Sequence, residues 1–254
     1  MSTLHYETVG SGCGIPLYGD IMYAIDGFES LDYKLNPFTA IDYKLKGQDF
    51  IRNYTPGDVV VGCLSTMRSH FLSINSLPPA MDYPSTIGKE LSGRNATQTT
   101  LFHAGAWFSL HKNIFIKPVQ SKLSGFKAKP YNELEHEALL FDFQPETPVW
   151  ISEHEEYCAE YRIFVHKGKI QDVRRYRSCH WTPDQLDTLK IEAMVDAYDD
   201  APVAYTLDVA VTSAGRTVLV EVNDFWAVGS YGLAPETYAT MLKDRYTQIL
   251  VRRR

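Results

Sequence analysis

The chain has 254 residues, 44% of them hydrophobic and 22% charged, which is enough to bury one large core or two smaller ones. Its 25 basic and 31 acidic residues leave a formal charge of -6 and a pI near 5.7, which excludes a general nucleic-acid binder that works through a basic surface. Cys13, Cys63, Cys158 and Cys179 form no C-x-x-C pair and have no histidine at zinc-like spacing; with no signal peptide or long apolar run, the expectation is a cytoplasmic protein without membrane contact.

Near the start, Gly10-Ser11-Gly12-Cys13-Gly14 has neither the preceding apolar strand nor the following Lys-Ser/Thr of a phosphate loop, and reads as a plain loop. Asp58 to Leu64 is a short apolar run after a Thr55-Pro56-Gly57 turn. It predicts a buried strand of a small α/β unit and puts Arg68 near that strand's end, where ligands meet open sheets. Leu77-Pro78-Pro79 to Tyr83-Pro84 is a turn-rich link that leads to a short helix near Ser85 to Leu91, and a domain boundary is expected between about residues 100 and 112.

Asn113 to Pro118 predicts an apolar strand ending in Lys117, followed by a polar, basic stretch to Lys129 that includes Lys122. A cation at a strand end next to a loop with small residues and more lysines suits the grip and cover of a polyphosphate. Thr147 to Glu153 predicts a strand that runs into an acidic link, His154-Glu155-Glu156. Glu160–Val165 and Lys169–Arg177 then form a hairpin turned at His166-Lys167-Gly168. Arg162, Arg175 and Arg177 on that hairpin are candidates to face anionic oxygens, because a guanidinium fork matches phosphate bidentately; they equally suit a charged guard on a strand edge. Thr182-Pro183-Asp184-Gln185 carries capping signals for a helix to about Ala197, with Leu186, Leu189, Ile191, Met194 and Val195 mostly inward. Pro235 opens a last helix whose Tyr238, Met241, Leu242, Ile249 and Leu250 form a core stripe.

Tyr205 to Gly232 is the most informative stretch. Two strand-like runs flank a Ser213-Ala214-Gly215-Arg216 turn, which sets Asp208 opposite Glu221 and pairs Val209, Val211 and Leu207 with Val220, Val218 and Val222. Side chains alternate along a strand, so Asp208, Glu221 and Asn223 share one face. Two carboxylates and an amide are the oxygen donors that Mg²⁺ prefers. The loop Asp224 to Gly232 follows them directly and is expected to line an acceptor site.

In this order, the elements resemble the catalytic half of the ATP-grasp superfamily. FIKPVQSKLSG, WISEHEEYCAEYRIFV and VLVEVNDFWAVGSYGL are similar to motifs of its phage- and bacteria-associated clade with a conserved arginine and two lysines. The resemblance implies a mixed α+β ATP-grasp fold with the nucleotide between two subdomains, 109–160 (lid) and 161–254 (metal-binding), preceded by a small α/β pre-grasp domain over 1–108. It implies ATP and Mg²⁺ as cofactors. Lys117 and Lys122 would contact phosphates, Glu153 and the backbone after it would receive adenine, and Glu160 would hold the ribose. Asp208, Glu221 and Asn223 would bind Mg²⁺, while Arg162 and one of Arg174, Arg175 or Arg177, with Arg177 preferred, would serve phosphate or substrate. The implied activity is a peptide-type carboxylate-amine ligase that forms an amide through an acylphosphate, with small-molecule or peptide acids and amines as substrates. An ATP-binding assembly factor for a protein partner is the alternative. The Gly-rich lid loop of many relatives is reduced here to Ser124-Gly125.

Overall fold

A computed structural model describes residues 1–9, 19–45, 57–119, 125–178 and 186–251. The expectations for Gly10–Gly14, Thr55-Pro56, Lys122, Ser124 and the capping signals at Thr182–Gln185 lie outside the described residues.

Three sheets organise the chain. The first joins β1 (Thr3–Glu7), β2 (Lys34–Phe38) and β3 (Val59–Val61) in the order β2-β1-β3, all parallel. All three β3 valines are buried, as a parallel strand covered on both faces requires. A helix, Leu64–Ser73, starts three residues beyond β3, so Arg68 stands on that helix rather than at the strand's end. β1, β2 and the Gly19–Ser30 helix are not among the elements expected from sequence.

The second sheet runs β4-β7-β5-β6 and is antiparallel, from β4 (Thr97–Thr100), β5 (Ile114–Pro118), β6 (Lys129–Tyr131) and β7 (Pro148–Glu153). Its core holds Leu101, Ile114, Ile116, Val149, Ile151 and Leu139. The last lies on a Glu133–Asp142 helix started by an Asn132/Glu135 capping box. β4 and Leu101 precede residue 108 and still belong to this sheet and core.

The third sheet, β11-β10-β8-β9, is antiparallel and contains β8 (Tyr157–His166), β9 (Lys169–Ser178), β10 (Ala204–Thr212) and β11 (Thr217–Asp224). β8 and β9 are joined at Lys167 (φ 52°) and Gly168 (φ 70°), a two-residue turn whose positive φ values match the twist of the strands. Within β10–β11, Asp208 faces Glu221 and Leu207 faces Val222 as expected, but Val209 faces Leu219 and Val211 faces Thr217. The cause is a bulge after Asp208 that leaves Val220 as the extra residue. It keeps Glu221 beside Asp208 while turning Leu219 into the same apolar cluster as Val209.

That cluster includes Ile191, Met194 and Val195 of a helix that backs the sheet. The helix is Thr188–Asp196, shorter than expected: residues 186 and 187 are not helical, and Asp187 caps it by accepting the Lys190 amide at 3.0 Å. Contacts to β11 fix this start, since Thr217 Oγ1 accepts the Asp187 amide (2.9 Å) and its carbonyl accepts the Lys190 ammonium (2.8 Å). Leu189, expected inside, is 76% exposed because the helix turns it away from the sheet.

Part of the opposite face of the third sheet is covered by the Pro235–Val251 helix. Its Tyr238, Met241, Leu242 and Ile249 join Phe164 and Ala204 of the sheet and Leu4, Phe28 and Phe71 of the first unit in one core. No helix among the described residues is long and apolar enough to cross a membrane.

The first unit and the last helix meet at Gly27, where a Cβ would come within 2.0 Å of the Pro235 carbonyl oxygen and 2.7 Å of Ala239 Cβ. Both obstacles lie on a packed helix and cannot swing aside. Gly27→Ala should therefore destabilise the protein by about 2 kcal/mol or more through overpacking, measured as a lowered urea midpoint with an unchanged slope.

Candidate active site

The bulged hairpin and its neighbour β8 put a row of polar groups on one face of the third sheet. Asp208 is buried, and Arg162, its register partner on β8, grips it with both prongs: Nε to Oδ1 at 2.8 Å and Nη2 to Oδ2 at 2.6 Å. Asn223 Nδ2 donates to Asp208 Oδ2 (3.3 Å) and to Glu221 Oε1 (2.9 Å), so the three expected metal ligands converge. Burial pushes the Asp208 carboxyl above its ordinary pKa, against the pull of Arg162. Burial acts on Glu221 in the same sense, but Lys117 outweighs it and holds that carboxyl below the usual glutamate value.

Lys117 reaches this row from the other side. It stands on β5 of the second sheet, and its ammonium lies 2.5 Å from Glu221 Oε2 and 2.5 Å from Asp82 Oδ1. Burial alone would neutralise the amine, yet the carboxylates of Glu221 and Asp82 hold its pKa above that of an ordinary lysine. Asp82 also accepts the Trp150 indole N–H at 3.1 Å, so a group from the connector completes the bridge between the sheets.

Farther along β8, Glu160 is buried and accepts the Tyr176 hydroxyl (2.9 Å) and the Arg177 guanidinium (2.7 Å). Arg177 is otherwise exposed. Arg174, opposite Arg162 in register, is bound to Asp172. The Arg162 guanidinium also lies 4.4 Å from the Tyr231 ring centre, a cation–π contact that stiffens it from the far side of Asp208. Glu153 ends β7 with its side chain exposed, apart from the Asp208 row. Lys122 is outside the described residues.

The segment after Asn223 is pinned at two points. Asp224 and Arg245 form a buried bidentate pair (2.7 and 2.5 Å), and Ser230 donates its amide and hydroxyl to Asp20 at 2.7 and 2.8 Å. Between these ties, Trp226 to Gly229 line a cleft of about 1510 Å³ that is also lined by Lys117, Asp82, Glu221 and Asn223 and, on the first unit, by Val61 and Arg68.

Several groups here carry no motif in the sequence. Asp82 lies in the turn-rich link, which reads only as a linker. Arg94, buried, donates to Ser152 Oγ (3.0 Å) and lies 4.6 Å from the Phe115 ring centre. Tyr83 packs edge-on against Trp150. Two prolines before Asp82 and one after it are the only local hint that its backbone is constrained.

The donor chemistry fits Mg²⁺, which takes one or two carboxylates and keeps other positions for water or phosphate oxygens. Among the described residues no three His, Cys, Asp or Glu side chains group closely enough to hold a metal, so the third donor has to be the Asn223 amide. Arg162 and Lys117 balance the two carboxylates, and an incoming metal ion would have to displace at least one of them.

Three sheets, the last two facing across a nucleotide-sized cleft, define an α+β ATP-grasp fold. The chain belongs to family 2 of the ATP-grasp domains of the clade named for its arginine and two lysines; the family model matches residues 91–241. Solved structures share the fold at low identity. D-alanine–D-alanine ligase from Bacillus anthracis complexed with ATP has TM-score 0.55 and 14% identity over 100% of this chain and 98% of that one. D-cycloserine synthetase DcsG has TM-score 0.57 and 13% identity over 99% of each chain. The ATP-grasp ligase PsnB complexed with minimal precursor has TM-score 0.51 and 12% identity over 100% of each. No curated protein matches the sequence.

The depressed Glu221 pKa carries a sign. Its ion pair contributes stability that is complete above the ordinary glutamate value of 4.5 and is lost as pH falls through the lower folded value. Asp208, shifted the other way, acts in the opposite sense in both proteins and cancels in a comparison. Glu221→Gln should thus be less stable than the native chain at pH 7, and urea unfolding from pH 7 to 3 should show the gap closing; parallel curves would refute the assignment.

Proposed function

We propose that the protein is an ATP- and Mg²⁺-dependent ligase joining a carboxylate to an amine. The observation that carries this reading is the continuity of the cleft: the wall that holds Lys117, Glu221 and Asn223 runs on to Trp226–Gly229 and to the first sheet, leaving room for a second substrate beside the phosphates. An assembly factor would need no such extension. The ligase character of the D-alanine–D-alanine and PsnB structures supports the same reading.

In this reading Lys117 holds a phosphate oxygen from the second sheet, with Lys122 as a second candidate. Glu160, steadied by Tyr176 and Arg177, receives the ribose hydroxyls, and the strand end at Glu153 with the following link borders adenine. Asp208, Glu221 and Asn223 would hold Mg²⁺, which neutralises the charge that builds on the transferring phosphoryl group. Arg162, locked between Asp208 and Tyr231, presents a fixed cation to the same charge, so little reorganisation is needed when it develops. The substrate carboxylate oxygen attacks the γ-phosphorus as the bond to ADP breaks. The amine then attacks the acylphosphate carbon, loses a proton and expels phosphate. Trp226–Gly229 and the first-sheet wall orient the acceptor and exclude water. The division into 1–108, 109–160 and 161–254 is kept as a functional outline, with β4 and the residues from about 91 assigned to the catalytic part.

Phosphate release with panels of acids and amines tests the proposal. Asp208→Asn and Glu221→Gln should each lower magnesium-dependent ATP turnover by about a hundredfold, as the loss of one preorganised electrostatic contact typically does. Unchanged turnover in both would remove the metal assignment.

A further inference from the structure

Lys117 has two carboxylate partners, and they are held in different ways. Glu221 lies on β11 with its side chain 27% exposed, and shares its other oxygen with Asn223. Asp82 belongs to neither sheet. Its backbone carbonyl accepts the Val222 amide at 2.8 Å, its side chain is only 9% exposed, and its two oxygens take the Lys117 ammonium and the Trp150 indole. The connector is therefore tied by its backbone to the edge of the third sheet and by one side chain to the second.

Asp82 has φ 34°, a left-handed conformation that asparagine and aspartate tolerate better than other side chains with a Cβ. An asparagine would satisfy that backbone and the indole N–H without burying a charge. What asparagine would not supply is a negative charge beside Lys117. Close packing does not hold the strap in place, because Leu77 to Met81 line the large cleft and also a second pocket of about 480 Å³.

This inference rests on the ATP reading above, in which Glu221 must release the ammonium to serve a metal ion. We propose that Asp82 is a positioning residue, the resident counter-ion that keeps Lys117 charged and aimed into the cleft while Glu221 changes partner. It touches no substrate and acts through Lys117. The three-way contact is then an exchange device: Lys117 passes from two carboxylates to one carboxylate and a phosphate oxygen and stays compensated throughout.

The test uses Asp82→Asn in the full chain, a change that preserves shape, backbone preference and the indole bond. Acylation of lysines by acetic anhydride, read residue by residue by mass spectrometry, should run about fivefold or more faster at Lys117, as a fall of most of a unit in its pKa would give. Lys129 and Lys190 should keep their rates. An unchanged Lys117 rate, or a rise shared by all three as in a loosened fold, overturns the proposal. In calorimetry with a non-hydrolysable ATP analogue, the variant should need several-fold more Mg²⁺ for half-maximal binding, because a lysine left with one carboxylate holds Glu221 harder. An unchanged midpoint overturns the exchange. If the native protein binds no nucleotide, the ATP reading alone fails, and the acylation rates still decide the role of Asp82.

Discussion

Burial of charge between two sheets is the constraint on which this molecule turns. Asp82, Asp208 and Glu221 are taken largely out of water together with Lys117 and Arg162, three anions against two cations. Each would be prohibitive alone, because an isolated buried ion costs several kcal/mol even after relaxation. Together they are tolerable only if the two sheets keep a fixed spacing, since Lys117 comes from β5 and its partners from β11 and the connector. The excess of one negative charge is also informative. A pure salt-bridge lock would be balanced, whereas a site left anionic favours a further cation, and a bare polyphosphate would meet repulsion there unless it arrived with one.

How much of this was legible in the sequence follows from how local each signal is. The strands β5, β7, β8, β10 and β11 were legible because their apolar runs and turns are local, and the convergence of Asp208, Glu221 and Asn223 followed from alternation along paired strands. The bulge at Val220 was not, because it depends on Leu219 finding the helix behind the sheet. The capping signal near Thr182 marked a helix correctly but misplaced its start, since Thr217 of β11 decides where the chain enters it. Asp82 was hidden for a related reason: its partners are 35 and 68 residues away, and nothing in a Pro-rich link says which side chain will face inward. β4, written Thr-Gln-Thr-Thr, has no apolar alternation to announce an edge strand.

The first unit is no appendage to this site. Phe164 and Ala204 of the third sheet pack into the same core as Leu4, Phe28 and Phe71, with the Pro235–Val251 helix between them, so one apolar cluster sets the orientation of the first sheet toward the cleft. The contact of Ser230 with Asp20 then fixes the loop beyond Asn223 to the start of the Gly19–Ser30 helix. A shift of the first unit would drag this loop with it.

Arg245 shows how the same logic extends into the core. It is 2% exposed on a helix whose other inward residues are apolar, and it exists there because Asp224 accepts two of its bonds and Gln248 a third. Replacing the pair by apolar groups could match its stability. It could not match its direction, because a bidentate bond fixes the chain one residue beyond Asn223 in both position and angle. Asn223 is thereby held between two anchored neighbours, Val222 by the Asp82 carbonyl and Asp224 by Arg245. An amide side chain that must sit between two carboxylates needs that restraint, since its own hydrogen bonds are too weak to hold a strand end in place.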